Sequence, residues 1–138
     1  MTMPGPLFEA PRQAPWLAPY WEGLGVGELR LPRCSVCGRW EWYPVESGPA
    51  CPDGHYVWEA VGPLATVFTC TRVDRPLLPG ITQSYMTGLI VTDRAPDCRI
   101  AALFDESAGP VSIGARVRLS ISGAGESAFP YFTLESMS

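Results

Sequence analysis

Hydrophobic and polar residues alternate within segments of the second half of the chain. In "ARVRLSIS", Val117, Leu119 and Ile121 fall on one side, and Arg116, Arg118 and Ser120 on the other. This is the two-residue period of a half-buried strand. "GPLATVFTCTRVDR" is longer, with Leu64, Thr66, Phe68 and Cys70 on one face and Ala65, Val67, Thr69 and Thr71 on the other. "YMTGLIVTD", "CRIAALF" and "AFPYFTL" complete a set of five strands between Gly62 and Leu134. Gly88, inside the second of them, weakens a regular strand and so marks a bulge or a tight bend. No segment here sustains a 3.6-residue period. Five short strands led by a long coiled one predict a small closed barrel of the OB type.

Upstream the pattern changes. "ELRLPRC" leads into a Cys-x-x-Cys turn, "GRWEWYPV" alternates Trp40 and Trp42 with Arg39 and Glu41, and "HYVWEAV" returns as a partnering strand. Together, from Leu29 to Ala60, they predict a β-hairpin ribbon, joined through the turn-rich "ESGPACPDG". Before it, "APYWEGLGVG" predicts one or two helical turns, with Pro19 in the first turn and glycines ending it early. The first eighteen residues hold four prolines and read as an extended or flexible arm. The predicted organisation is an arm over 1–18, a short helix and ribbon over 19–61, and a barrel over 62–138. The fold class is mainly β.

Composition narrows the function. The chain has 138 residues, 46% of them hydrophobic, and a net charge of −4. All ten of its cationic side chains are arginine, so a Schiff-base lysine is excluded. Up to residue 60 there are four arginines against seven acids, and beyond it six against seven. Neither part has the cationic surplus that nucleic-acid binding usually draws on. No apolar run approaches the roughly 18 residues of a membrane span, and no signal peptide is visible, which together predict a cytoplasmic protein. Five cysteines, an odd count, argue for metal or core use rather than a disulfide framework.

Three of those cysteines carry the main chemical signal. Cys34-x-x-Cys37-Gly38 is a metal knuckle, and Cys51-Pro52-Asp53-Gly54-His55 resembles a second one that lacks its last cysteine. The leading reading is a structural zinc held by Cys34, Cys37, Cys51 and His55, since closed zinc sites take four Cys or His ligands. Two alternatives stand beside it. In one, three thiolates hold the ion with water or Asp53 as the fourth ligand. In the other the metal is lost, and the hairpin rests on Trp40, Trp42, Tyr43, Tyr56 and Trp58. Rubredoxin-type iron wants a fourth thiolate that is absent. The only histidine lies in the ribbon, without the neighbours a catalytic base requires. Cys70 and Cys98 read as small core residues.

The order "YWEGL", "LRLPRCSVCGRW", "CPDGH", "WEAVGPLATVFTCTRV", "YMTGLIVTD", "SIGARVRL" and "FPYFTL" resembles the DUF35 family of zinc-ribbon, OB-fold proteins. The resemblance runs from about Pro19 to Leu134. It implies a rubredoxin-like ribbon packed on an OB barrel, and a non-catalytic companion of thiolase-superfamily enzymes (acyltransferases, thiolases, lipid-transfer-like aldolases) in lipid, steroid or polyketide metabolism. The family's fourth ribbon cysteine falls at Gly54. The family offers no catalytic residue to carry over.

Within that frame, Arg72, Arg75 and Arg94 are candidates for the phosphates of coenzyme A, because guanidinium groups grip phosphate through paired hydrogen bonds. The plainer alternative is that they are solvated loop charges. "RPLLPG" exposes Leu77 and Leu78 on a stiffened loop, and with Trp16 and Leu17 of the arm these are candidates for contact with an enzyme partner. Leucines covering the barrel mouth are the alternative. The expected assembly is a hetero-oligomer that handles acyl-CoA, without nucleic acid or membrane. Two other functions remain open: a single-stranded nucleic-acid-binding OB module, and a small zinc-dependent thioester enzyme.

Overall fold

A computed structural model describes residues 14–74, 84–123 and 128–135. A single turn of 3-10 helix over Pro15–Leu17 runs directly into α1 (Ala18–Gly25). Proline at the start suits a first turn whose N–H groups have no helical partner. The helix buries Tyr20, Gly23 and Leu24. Seven strands follow: β1 (Arg30–Cys34), β2 (Tyr56–Ala60), β3 (Leu64–Val73), β4 (Tyr85–Thr92), β5 (Ile100–Asp105), β6 (Arg116–Ser122) and β7 (Phe129–Leu134).

β1 and β2 form a two-stranded antiparallel ribbon in the register Arg30↔Ala60 to Cys34↔Tyr56. The segment around Trp40 and Trp42, expected as a strand, forms no strand and shares only an isolated β-bridge with the ribbon, between Arg33 and Trp40. Packing overrides its alternation. Trp42 turns away to lie 5.1 Å from the Tyr20 ring, Glu41 accepts a hydrogen bond from the Tyr56 hydroxyl at 2.8 Å, and Pro44 is fully buried.

The other five strands close a barrel in the order β3-β4-β5-β7-β6, with β6 returning to β3. All contacts are antiparallel except β5 with β7, where Phe104 faces Phe132. This is the OB arrangement that the five alternating segments predict. A register shift between Val67 and Thr69 breaks the long first strand. Before it, Ala65 and Val67 point inward; after it, Cys70 packs on the core, and Phe68 is left 45% exposed. A bulge inserts one residue and so exchanges the two faces. Neither of the uniform faces read along β3 therefore survives its whole length.

The core is continuous across helix, ribbon and barrel: Tyr20, Leu24, Leu29 and Leu31 share it with Ile90, Ile100, Phe104, Val117 and Phe132. Phe104 is fully buried, and removing such a side chain from water contributes about 2–3 kcal/mol. The ribbon is therefore seated on the barrel rather than hanging from it. Arg94, just after β4, reinforces the seat. It donates to Glu59 Oε2 and to the Ala60 carbonyl, both at 2.7 Å, and its guanidinium lies 5.4 Å from the centre of the Trp40 ring.

Candidate metal centre

β1 delivers Cys34 to the start of the first knuckle. There Gly38 N–H donates to the Cys34 carbonyl at 2.9 Å, Val36 N–H points at Cys34 Sγ at 3.4 Å, and Gly38 takes φ +74° to turn the chain back. Glycine enters that left-handed region at little cost. The second knuckle turns more tightly: Gly54 N–H donates to the Cys51 carbonyl three residues back at 3.0 Å, behind Pro52 and an Asp53 at φ +63°. Pro followed by a residue of positive φ is the chemistry of a type II turn.

The two turns face each other and bring the ligand atoms of Cys34, Cys37 and Cys51 within 4.8 Å of one another. Cys34 is buried, Cys51 half-buried and Cys37 exposed. Backbone N–H groups of Cys37 and Val36 hold the Cys34 thiol below its ordinary pKa. Cys51 is pushed up to about 11, chiefly by its hydrogen bonds to the Cys37 and Cys34 sulfurs. A cation reverses that competition, because coordinated thiols deprotonate. Sulfurs around a tetrahedral zinc stand about 3.8 Å apart, given Zn–S bonds of about 2.3 Å. The spacing fits a thiophilic ion after small side-chain adjustments.

His55 does not join the cluster, and neither does Asp53. Its backbone N–H donates to Ser35 Oγ at 3.0 Å, its carbonyl accepts from Ser35 N–H at 2.9 Å, and Nδ1 lies 3.2 Å from Ser35 Oγ. The physical reason is the strand that begins at Tyr56. In extended chain, neighbouring side chains point to opposite faces, so a ligand displaced by one residue faces away. Ser35 and His55 do not make a catalytic pair either. They are bonded at the surface, and no acid among the described residues is hydrogen-bonded to the ring.

The other candidate residues are scattered. Arg72 donates to Glu106 at 2.6 Å, and Arg94 is held by Glu59, so both of these arginines are already engaged. Leu17 is 4% exposed, so its surface is spent within the chain and is not available to a partner. Trp16 is half-buried, and its indole N–H has no acceptor among the described residues. Arg75, Leu77 and Leu78 lie outside the described residues.

Sequence reasoning missed Glu59, which receives Arg33 Nε at 2.9 Å as well as Arg94, and whose carboxyl is held below the usual range first by Arg33. It also missed a cavity of about 310 Å³ between ribbon and barrel, lined by residues including Arg39, Trp40, Trp42, Asp97 and Cys98. Burial raises the Cys98 thiol, which makes it a poor nucleophile there. Its residues come from positions more than fifty apart, which no local pattern connects. Among the described residues no helix is long and apolar enough to cross a membrane.

No family model matches the chain, and no curated protein matches it either. Two solved structures share its architecture. One is described as the Ltp2-ChsH2(DUF35) aldolase; it is 22% identical, with 86% of this chain and 93% of that one covered and a TM-score of 0.70. The other is a DUF35 protein of unknown function from Sulfolobus solfataricus, 19% identical over 94% of each chain, with a TM-score of 0.59. The chain thus has the fold of DUF35 proteins: one short helix, a ribbon with a three-cysteine site, and a five-stranded barrel.

Proposed function

We propose that this chain is a non-catalytic companion subunit in a hetero-complex with a thiolase-superfamily enzyme acting on acyl-CoA, a lipid-transfer-like aldolase first among them. The observation that carries the reading is the match over nearly the whole fold to a DUF35 chain whose structure is described, with Ltp2, as an aldolase. The described residues add support. They contain no nucleophile joined to an oriented base, and the one histidine is tied to Ser35 at the surface. Six arginines are paired with acids, which leaves little free cationic surface for a nucleic acid.

In this reading Cys34, Cys37 and Cys51 hold a zinc ion whose part is structural: bound, it cross-links the two knuckles and stiffens the ribbon. Contact with acyl-CoA through Arg72, Arg75 and Arg94 belongs to the same proposal. A phosphate would have to displace Glu106 or Glu59, which solvent-screened ion pairing does not forbid. Partner contact through Trp16, Leu77 and Leu78 is the remaining element.

Co-expression with thiolase-like enzymes of the source genome tests the reading, with native mass spectrometry and thioester assays as readouts. A stable mixed complex is the expected result, active on acyl-CoA while this chain alone is not. A chain that stays alone beside every candidate, or turns over a thioester unaided, overturns it.

A further inference from the structure

We propose that the ribbon is a three-thiolate metal centre with an open fourth position, available to a small thiol from outside the chain. The inference rests on metal being bound at Cys34, Cys37 and Cys51.

Three observations bear on the alternatives among the described residues. First, the two knuckles share their sequence spacing, so Gly54 stands to Cys51 as Cys37 stands to Cys34. A Cβ at position 54 would lie 3.2 Å from Cys34 Sγ and 3.0 Å from the Cys51 carbonyl oxygen. That corner faces the sulfur cluster, and glycine brings no donor to it. Second, His55 is fastened to Ser35 by its backbone N–H, its carbonyl and Nδ1. Turning the ring toward the ion would break its contact with Ser35 Oγ. Third, Asp53 sits outside the cluster on the exposed turn.

The site is also reachable. Cys37 is exposed and Cys51 half-buried, so one side of the sulfur triangle meets solvent. Zinc with fewer than four protein ligands completes its sphere with water or a substrate. A thiol then enters by simple exchange: the bound water leaves, the thiol's sulfur takes its place, and the thiol proton passes to solvent. No oxidant or reductant is needed. A thiol is favoured over harder donors because thiolate suits the ion that three thiolates already select.

The test uses the full chain loaded with cobalt(II), whose spectrum reports the donor set independently of any activity. Stoichiometry is measured first, and a chain that binds no ion overturns the metal reading itself. With one ion per chain, the spectrum is expected to be unchanged in His55→Ala. On titration with 2-mercaptoethanol, the thiolate-to-cobalt absorption should grow by about a third, as three sulfur donors become four. Gly54→Cys should show the larger absorption from the outset and no response to the thiol. That variant is tight against Cys51, so His55→Ala and the titration of the parent decide the matter if it does not fold. A bound ion whose spectrum changes in His55→Ala, or ignores the thiol, overturns the open position and leaves the metal reading standing.

Discussion

Gly88 lies in the middle of β4, opposite Cys70 of β3 and Ala102 of β5. A Cβ placed there would stand 2.0 Å from the Thr69 carbonyl oxygen and 2.7 Å from the Cys70 Cα. Carbon and oxygen normally approach to about 3.3 Å, so Gly88→Ala overlaps the β3 backbone by about 1.3 Å. Backbone in a closed barrel cannot swing aside as the tip of a side chain can. β3 must move away from β4, just beyond its bulge. Overpacking costs about 1–3 kcal/mol, and a backbone collision belongs at the upper end, about 3 kcal/mol. At about 3–5 °C per kcal/mol for a chain of this size, the melting temperature should fall by about 9–15 °C. Gly114→Ala separates this collision from simple backbone strain. Gly114 has φ +89° and nothing within 4 Å of its would-be Cβ, so the cost there is about 1–2 kcal/mol. Thermal unfolding followed by near-ultraviolet circular dichroism measures both. A Gly88→Ala protein melting within about 2 °C of the parent, or a larger loss at Gly114, would refute the reasoning.

Cys34→Ser should remove the buried sulfur around which the cluster is arranged, so one ion per chain is lost and the melting temperature falls. A chelator should bring the parent close to the variant, and a parent free of metal whose stability the substitution leaves unchanged would count against a metal ribbon. Glu59 titrates below the usual carboxylate range because Arg33, and then Arg94, favour its charged form. A depressed pKa contributes stability present above the unfolded value, about 4.3, and lost as pH falls through the folded one. Glu59→Gln should therefore flatten the acid limb of the stability curve below about pH 4.3, while its melting temperature at neutral pH is lower than the parent's. Equal slopes in urea titrations across that window would show that the ion pairs contribute nothing.

The five barrel strands were legible because a strand's period is a local property. Val117 and Leu119 alternate with Arg116 and Arg118 whatever lies opposite, and they face the core as their pattern says. The knuckle spacing brought three cysteines to one place, but the bulge expected at Gly88 lies in β3 between Val67 and Thr69, and glycine at 88 instead makes room for the β3 backbone. Pairing was not legible. The Trp40–Trp42 alternation looks like a strand, yet β1 pairs with β2, because Tyr20 and Arg94, distant in sequence, claim the two tryptophans. The bulge after Val67 turns Phe68 outward, and nothing in a run of alternating residues announces an inserted one.

His55 draws the same line within the site. Its spacing from Cys51 suits a ligand, but only the start of β2 and the bond to Ser35 decide which way the ring points. Covalent spacing and side-chain period, both readable along the chain, determined which elements exist and which atoms can carry chemistry. Partners brought together across the fold decided register, facing and the use of each charge, because those depend on groups that meet only when the barrel closes over its shared core.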